Sequence, residues 1–318
     1  MTYNSLNLTK NVQPLVKKLQ QHASLYQISS EIINDATIID CGIHTKGSYS
    51  AGLLYSKITL GGLAQVTLSL PNSRNNKALL PKITVTSSHP VLATLGCQAA
   101  SWTINKKDFF GMACGPGRIL AQKPSSIFEM LAYNEESDQA IICLEADVLP
   151  PDHIIDYLSK KCSVEKENIT ILTVKTASLV ECIQMAARPI ELGIFKLVDQ
   201  MGYPKEKIIS AIGTGLMAPL SIDKDQANNF INNGLIYGTE LYLIIQSTKG
   251  DNLPRLIKQL PSCSSSAYGQ SFQEVFEAAD RDFSKFDLSL LAPTKVTLND
   301  IRTGRIYSAG KISKNYLS

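Results

Sequence analysis

The sequence predicts a mixed α/β protein folded in two lobes, and three observations carry that prediction. Short β-rich runs and amphipathic stretches alternate along the chain, most clearly at 139–174. There Gln139-Ala-Ile-Ile-Cys-Leu-Glu145 and Asn168-Ile-Thr-Ile-Leu-Thr-Val174 flank an apolar-periodic helix at 151–161. The chain has 318 residues, 44% of them hydrophobic and 19% charged, enough to bury a core and more than one average domain needs. No internal repeat or low-complexity tract interrupts it. The lobes are expected at 1–124 and 125–318, placed to about 10–20 residues, with the C-terminal tail free to pack back on the first lobe.

The elements follow in order. Leu6, Leu8, Val12, Leu15, Val16, Leu19 and Leu25 recur at helical spacing among Lys and Gln, so 6–26 is a helix. Residues 36–42 form a β-rich run closed by Gly42. Residues 55–70 mix β-branched residues with Gly61-Gly62, and 71–76 are a polar loop. A strand at 82–86 leads through His89-Pro90 into a helix at 91–100. After the 139–174 unit, 178–201 reads as helical, with Pro189 either kinking it or opening a second helix. A strand at 207–212 runs into a Gly-rich turn, and 235–246 supplies another strand. A polar stretch at 262–266 precedes a helix around 272–279, and Arg302-Thr-Gly-Arg305 marks a hairpin in the tail.

Composition excludes several functions. Thirty-one Lys+Arg against 28 Asp+Glu give a net charge of +3, with no footprint for nucleic acid. The first ten residues lack the basic and apolar regions of a secretory signal, and no stretch approaches the ~20 apolar residues of a membrane span. Seven cysteines, none in a CxxC pair and most in apolar company, fit a reduced cytoplasmic compartment. The histidines (His22, His44, His89 and His153) lie far apart, without a partner at ligand spacing, so no metal site is expected.

Three motifs could carry chemistry. Gly213-Thr-Gly215-Leu-Met-Ala218 matches a short dinucleotide fingerprint, but Pro219-Leu-Ser-Ile follows where a helix should begin, so a plain turn is expected. Gly111-Met-Ala-Cys-Gly-Pro-Gly-Arg118 is either a structural loop or a backbone cradle for an anion or carbonyl. In the 178–201 helix, Arg188 and Glu191 lie three apart, and Gln184 and Glu181 extend the polar stripe. That stripe is either a solvated ion pair or a paired, buried site inside an apolar helix.

The run Thr176-Ala-Ser-Leu-Val, Gln184, Arg188, Glu191 and Lys196 resembles the signature of methenyltetrahydromethanopterin cyclohydrolases. The resemblance extends over nearly the whole chain, through Ile39-Asp-Cys-Gly42, Gly61-Gly-Leu-Ala64, Gly96-Cys-Gln98, Cys114-Gly-Pro-Gly-Arg118, Leu260-Pro-Ser-Cys-Ser264 and Thr303-Gly-Arg305. It implies a two-lobed α/β fold with mixed sheets, a cleft between the lobes and a homotrimer. It also implies hydrolysis of the methenyl bridge of a tetrahydromethanopterin C1 carrier to the 5-formyl derivative, with no permanently bound metal or cofactor. By the same resemblance Glu191 is the catalytic base. Arg188 either keeps that carboxylate ionised or holds the oxygen developing on the former methenyl carbon. Gln98, Thr176, Ser178, Gln184 and Ser264 are implied as substrate contacts.

Departures accompany the resemblance. Ala99 stands where relatives carry Lys or Tyr, Glu181 where they carry Gly, Asn233 where they carry an acid, and Pro189 where a β-branched residue is usual. Ala99 and Asn233 motivate a second reading, a pterin- or partner-binding protein of low turnover. Glu181 either adds negative charge beside a cationic substrate, if the helix runs unbroken to Arg188, or faces solvent or caps the helix start near Ser178.

Overall fold

The computed structural model describes residues 6–70, 80–283 and 285–313; the loop expected at 71–76 lies outside them. Two six-stranded mixed sheets organise the chain. The strands are β1 (Ser29–Ile33), β2 (Ala36–Asp40), β3 (Ala64–Ser69), β4 (Lys82–Ser87), β5 (Trp102–Lys106) and β6 (Phe109–Cys114). They continue as β7 (Ala140–Ala146), β8 (Ile169–Val174), β9 (Ile208–Leu216), β10 (Thr239–Ile245), β11 (Lys295–Asp300) and β12 (Arg305–Gly310). The chain divides into two compact units. One holds residues through Ala64 with Leu92–Gln184, and the other holds Gln65–Val91 with the residues from Met185 onward.

The first unit is built on the sheet β1-β2-β8-β7-β6-β5. Its centre, β2-β8-β7, is parallel, and β1, β6 and β5 add antiparallel edges. Helices cover both faces, which is why β7 and β8 read as near-continuous apolar runs. On one face Ile39, Cys143, Leu172 and Val174 pack against Val12, Val16, Leu19, Tyr55 and Ile58. On the other, Ile38, Ile142, Leu144 and Ile171 pack against Ile154, Ile155 and Leu158. The first helix spans Leu8–Gln21 and starts where the Asn7 side chain accepts from the Lys10 amide. A second, Tyr49–Thr59, lay hidden because Gly52 and Ser56 blur its periodicity; Gly52 is there because a Cβ would press on Ile183. The helix expected at 91–100 is Leu92–Gln98, wound one residue wider than an α-helix, with the Ala99 amide reaching Thr94 O at 2.9 Å.

The second unit carries the sheet β12-β11-β10-β9-β4-β3. Its β10 alternates buried and half-buried residues, the pattern of a sheet with one covered face. The helix Lys224–Tyr237 packs Ile236 and Tyr237 against Phe272, Val275, Phe286 and Leu290. This corrects the strand expected from 235. Leu235–Tyr237 finish a helix whose polar first half, rich in Asn, concealed it, and β10 begins only at Thr239. The tail hairpin is β11–β12. The fully buried Asp300 pins it, accepting from the Ser247 amide and hydroxyl and from the Thr303 hydroxyl. Burial opposes ionisation there, yet those donors outweigh it and hold the carboxyl down at about 2.

The glycine motif at 213–218 is corrected too. Instead of a turn, β9 continues through Gly213 and Gly215 to Leu216, paired to β10 and β4 on its two sides. All seven cysteines are free thiols, and only Cys263 is exposed. No described helix is long and apolar enough to cross a membrane.

Candidate active site

The 178–201 segment is not one helix. It is an α-helix at Leu179–Ala186, a break, an α-helix at Pro189–Ile194 and a wider turn at Phe195–Gln200. Pro189 causes the break: it has no N–H to give, and its ring excludes the preceding residues from a continued helix. It sits at the first position of the new helix, where its missing donor costs nothing. Arg188 stands at the junction with φ −94° and ψ 0°, and its amide closes a tight turn onto Met185 O at 3.1 Å. Glu191 lies in the first turn of the new helix, where the helix dipole favours a carboxylate. Arg188 Nη1 donates to Glu191 Oε2 at 2.7 Å, with both residues buried. The pair is therefore a desolvated, charge-assisted contact and not a surface i,i+3 bridge. Glu191 Oε1 accepts nothing else among the described residues.

The glycines of β9 explain how the break is accommodated. A Cβ at Gly215 would collide with the Ala186 carbonyl, and one at Gly213 would lie 2.8 Å from Ile190 Cγ1 and 3.1 Å from its amide nitrogen. The strand passes directly beneath residues 186–190, and only glycine leaves room for it. A motif that looked like a nucleotide turn thus shapes the bed under Arg188 and Glu191.

Five residues beyond Glu191, Lys196 is also buried. Its ammonium donates to Ser264 Oγ at 2.8 Å, Ser289 O at 2.9 Å and Pro261 O at 3.3 Å, which occupies its three donors. Desolvation pulls its pKa down to about 8, against the opposing attraction of Asp287. Ser264, one of the expected substrate contacts, gives its own hydrogen to Gln259 O at 2.8 Å. Its hydroxyl is thereby tied into the clamp that Lys196 makes on 261–264 and 289.

The first unit holds the remaining residues singled out by sequence. Thr176 Oγ1 donates to Glu145 Oε1 at 2.8 Å. Ser178 Oγ accepts from the Glu181 amide at 3.2 Å, so Ser178 caps the helix Leu179–Ala186. Gly42 lies so close to Ser178 that a Cβ would meet its side chain at 2.7 Å. Glu181 is 2% exposed, which removes the solvent-facing alternative, and the break at Arg188 removes the unbroken helix on which its charge argument relied. Gln184 is buried on the same helix, and Gln98 is fully buried at the end of Leu92–Gln98. Beside Gln98, Cys97 O accepts from the Gly115 amide at 2.8 Å. Arg118, also fully buried, donates to Lys123 O and Leu95 O, and a Cβ at Gly117 would strike Ile142 at 2.5 Å. The Gly111–Arg118 motif is thus structural, its arginine satisfying backbone carbonyls. No group of three His, Cys, Asp or Glu able to hold a metal occurs among the described residues.

A family model described as Cyclohydrolase (MCH) matches residues 5–318. This chain belongs to that family. Among its relatives, the methenyltetrahydromethanopterin cyclohydrolase of Methanocaldococcus jannaschii is 39% identical over 315 residues, covering 98% of this chain and 97% of its own length. Those of Methanococcus maripaludis and Methanothermobacter marburgensis are 38% and 36% identical, over 92% and 95% of this chain and 91% and 95% of theirs.

Within this cyclohydrolase-family chain, the structure brings Arg188 to Glu191, Ser264 to Lys196 and Thr176 to Glu145. Sequence reasoning missed Glu145 as a partner of Thr176. The signal that could have found it was a carboxylate closing an otherwise apolar strand, Ile141-Ile-Cys-Leu-Glu145, in a parallel α/β unit.

Proposed function

We propose that this protein hydrolyses the methenyl bridge of 5,10-methenyltetrahydromethanopterin, reversibly, to 5-formyltetrahydromethanopterin. The observation that carries the reading is the buried Arg188–Glu191 pair, in which one carboxylate oxygen is held by the guanidinium and the other accepts from no described residue. The substrate bridge is an amidinium-like cation, so its carbon is already electrophilic, and the reading needs no metal or prosthetic group. Glu191 Oε1 accepts a proton from water as the water oxygen bonds to that carbon, giving a neutral carbinolamine. The C–N10 bond then breaks and N10 takes the proton back from Glu191. The carbinol proton leaves to solvent, so one proton is released per turnover and the formyl group stays on N5.

Arg188 either keeps the carboxylate ionised or holds the oxygen that gains charge during attack. Thr176, Ser178, Gln184, Gln98 and Ser264 are proposed substrate contacts, Ser264 through its lone pairs since its hydrogen is committed. The reading carries with it a cytoplasmic homotrimer without nucleic-acid or membrane partners. The test is loss of the near-ultraviolet absorbance of methenyl-tetrahydromethanopterin on adding purified protein. Turnover supports the reading; tight binding with a flat trace overturns it.

A further inference from the structure

The helix Pro189–Ile194 that carries Glu191 has six residues, too few to hold its shape alone, so its anchors set its direction. Its first turn rests on β9, where Gly213 admits Pro189 and Ile190. Further along, a Cβ on Gly193 would collide with Leu241 and press on Pro293. These two anchors are apolar and therefore non-directional. The third is polar. From the wider turn Phe195–Gln200, the Lys196 ammonium reaches Ser264 Oγ, Ser289 O and Pro261 O. Hydrogen bonds from one nitrogen to three separate oxygens fix rotation as well as distance. Every residue in this arrangement belongs to the second unit.

A lysine is a costly way to fill that space. Lys196 is buried, and an ammonium taken out of water loses hydration that a Met of similar length never had. The hold it gives also depends on its proton. As an ammonium it has three donors for three acceptors; as a neutral amine it has two, with a lone pair turned toward one of the oxygens. Desolvation lowers its pKa to about 8, opposed by Asp287 and by Cys263 on the turn Ser262–Ser264. Asp287 is held in place by the Ser265 hydroxyl at 2.6 Å and the Ser289 amide at 3.0 Å.

We propose that Lys196 is a positioning residue for Glu191. Its ammonium, bound to Pro261, Ser264 and Ser289, holds the helix Pro189–Ile194 at the angle that proton transfer needs, and loss of its proton releases that hold. This rests on the reading of the chain as a cyclohydrolase that works through Glu191.

The experiment follows kcat and KM for methenyl hydrolysis against pH in the full chain, corrected for the uncatalysed rate. Alongside it, hydrogen exchange of the amides of 190–196 is expressed as protection, a readout that needs no turnover. The parent's kcat should fall about tenfold or more between about pH 7 and 9.5, with KM changing less than about threefold, because a small misplacement of a reacting group acts on the chemical step. Cys263→Ser removes the exposed thiol, whose ordinary pKa of about 8.5 lies in the same range, and should keep that fall. Asp287→Asn can still accept from the Ser289 amide but loses the charge, and should move the fall to lower pH by about 0.5–1 unit. Lys196→Arg stays charged throughout and should remove the fall. Lys196→Met should be low at every pH. Protection should follow the same pattern in each protein. If the parent turns over with a flat profile, or Asp287→Asn leaves the fall where it was, the proposal is overturned although the cyclohydrolase reading stands. If nothing is hydrolysed, yet protection is lost over the same range and the loss moves in Asp287→Asn, the hold stands and the catalytic reading fails. Unchanged protection across the range in the parent overturns the proposal whatever the activity.

Discussion

Two buried cations eight residues apart in the second unit meet opposite fates. Arg188 faces a carboxylate and leaves one of its oxygens uncommitted. Lys196 faces two carbonyls and a hydroxyl that consume every donor it has. Both side chains are long and both are buried, so the partners decide the role. On the proposed reading an ion pair with a spare oxygen can take up a proton, whereas a saturated ammonium is a clamp. Its burial also shows in its ionisation, with desolvation lowering Lys196 to about 8.

The sharpest way to break this comparison is to remove the cation from the Arg188–Glu191 pair. Arg188→Met leaves the Glu191 carboxylate buried without its partner, an arrangement that costs about 3–5 kcal/mol. Activity should vanish, and thermal unfolding should move down by several degrees or more. Arg188→Lys restores charge without the planar fork and should recover much of the stability but little of the turnover. Equal loss of both in the two variants would mean that the pair is only structural.

A smaller effect is expected beneath the pair. Gly215→Ala places a methyl group against the Ala186 carbonyl, and overpacking of this kind costs about 1–3 kcal/mol. Turnover should fall about tenfold or more because the break carrying Arg188 must shift. Gly304→Ala, whose Cβ meets nothing within 4 Å but whose φ of +67° strains any other residue, should lower stability modestly and leave turnover unchanged. Chemical denaturation and steady-state rates read both.

The smallest effect is a slope. Lys196 has a lower pKa in the fold than its value of about 10.4 in an unfolded chain. Between about pH 8 and 10.4 the unfolded chain therefore binds more protons, and this group makes stability rise with pH across that window. Lys196→Met should lose that contribution. It should also destabilise by about 1–3 kcal/mol at pH 7, because Ser264 and the carbonyls of Pro261 and Ser289 lose their donor. Identical stability-against-pH slopes for parent and variant would contradict the desolvated ammonium.

Much of this architecture was legible in the residues, and the failures have physical causes. The strand–helix–strand unit at 139–174 was clear because a sheet covered on both faces writes long apolar runs. The break at Pro189 was anticipated as one of two outcomes, but not that Gly213 and Gly215 serve it. A glycine written for close approach looks in sequence like one written for a turn. Helices Tyr49–Thr59 and Lys224–Tyr237 were missed because small and polar residues occupy positions that periodicity expects to be apolar. Arg188 and Glu191 were visible as a pair, yet spacing alone left surface and buried readings open; only their burial separates the two. Glu145 left almost no trace, since only the fold brings Thr176 to it.

The central claim is that Glu191 moves the proton, and Glu191→Gln tests it most directly. The amide preserves shape and can still accept from Arg188, so circular dichroism and affinity for the formyl product should stay near those of the parent. Its kcat for methenyl hydrolysis should drop by about 10²–10⁴-fold, the contribution of a general base. A folded Glu191→Gln protein that hydrolyses the methenyl substrate within a factor of about three of the parent would contradict the account.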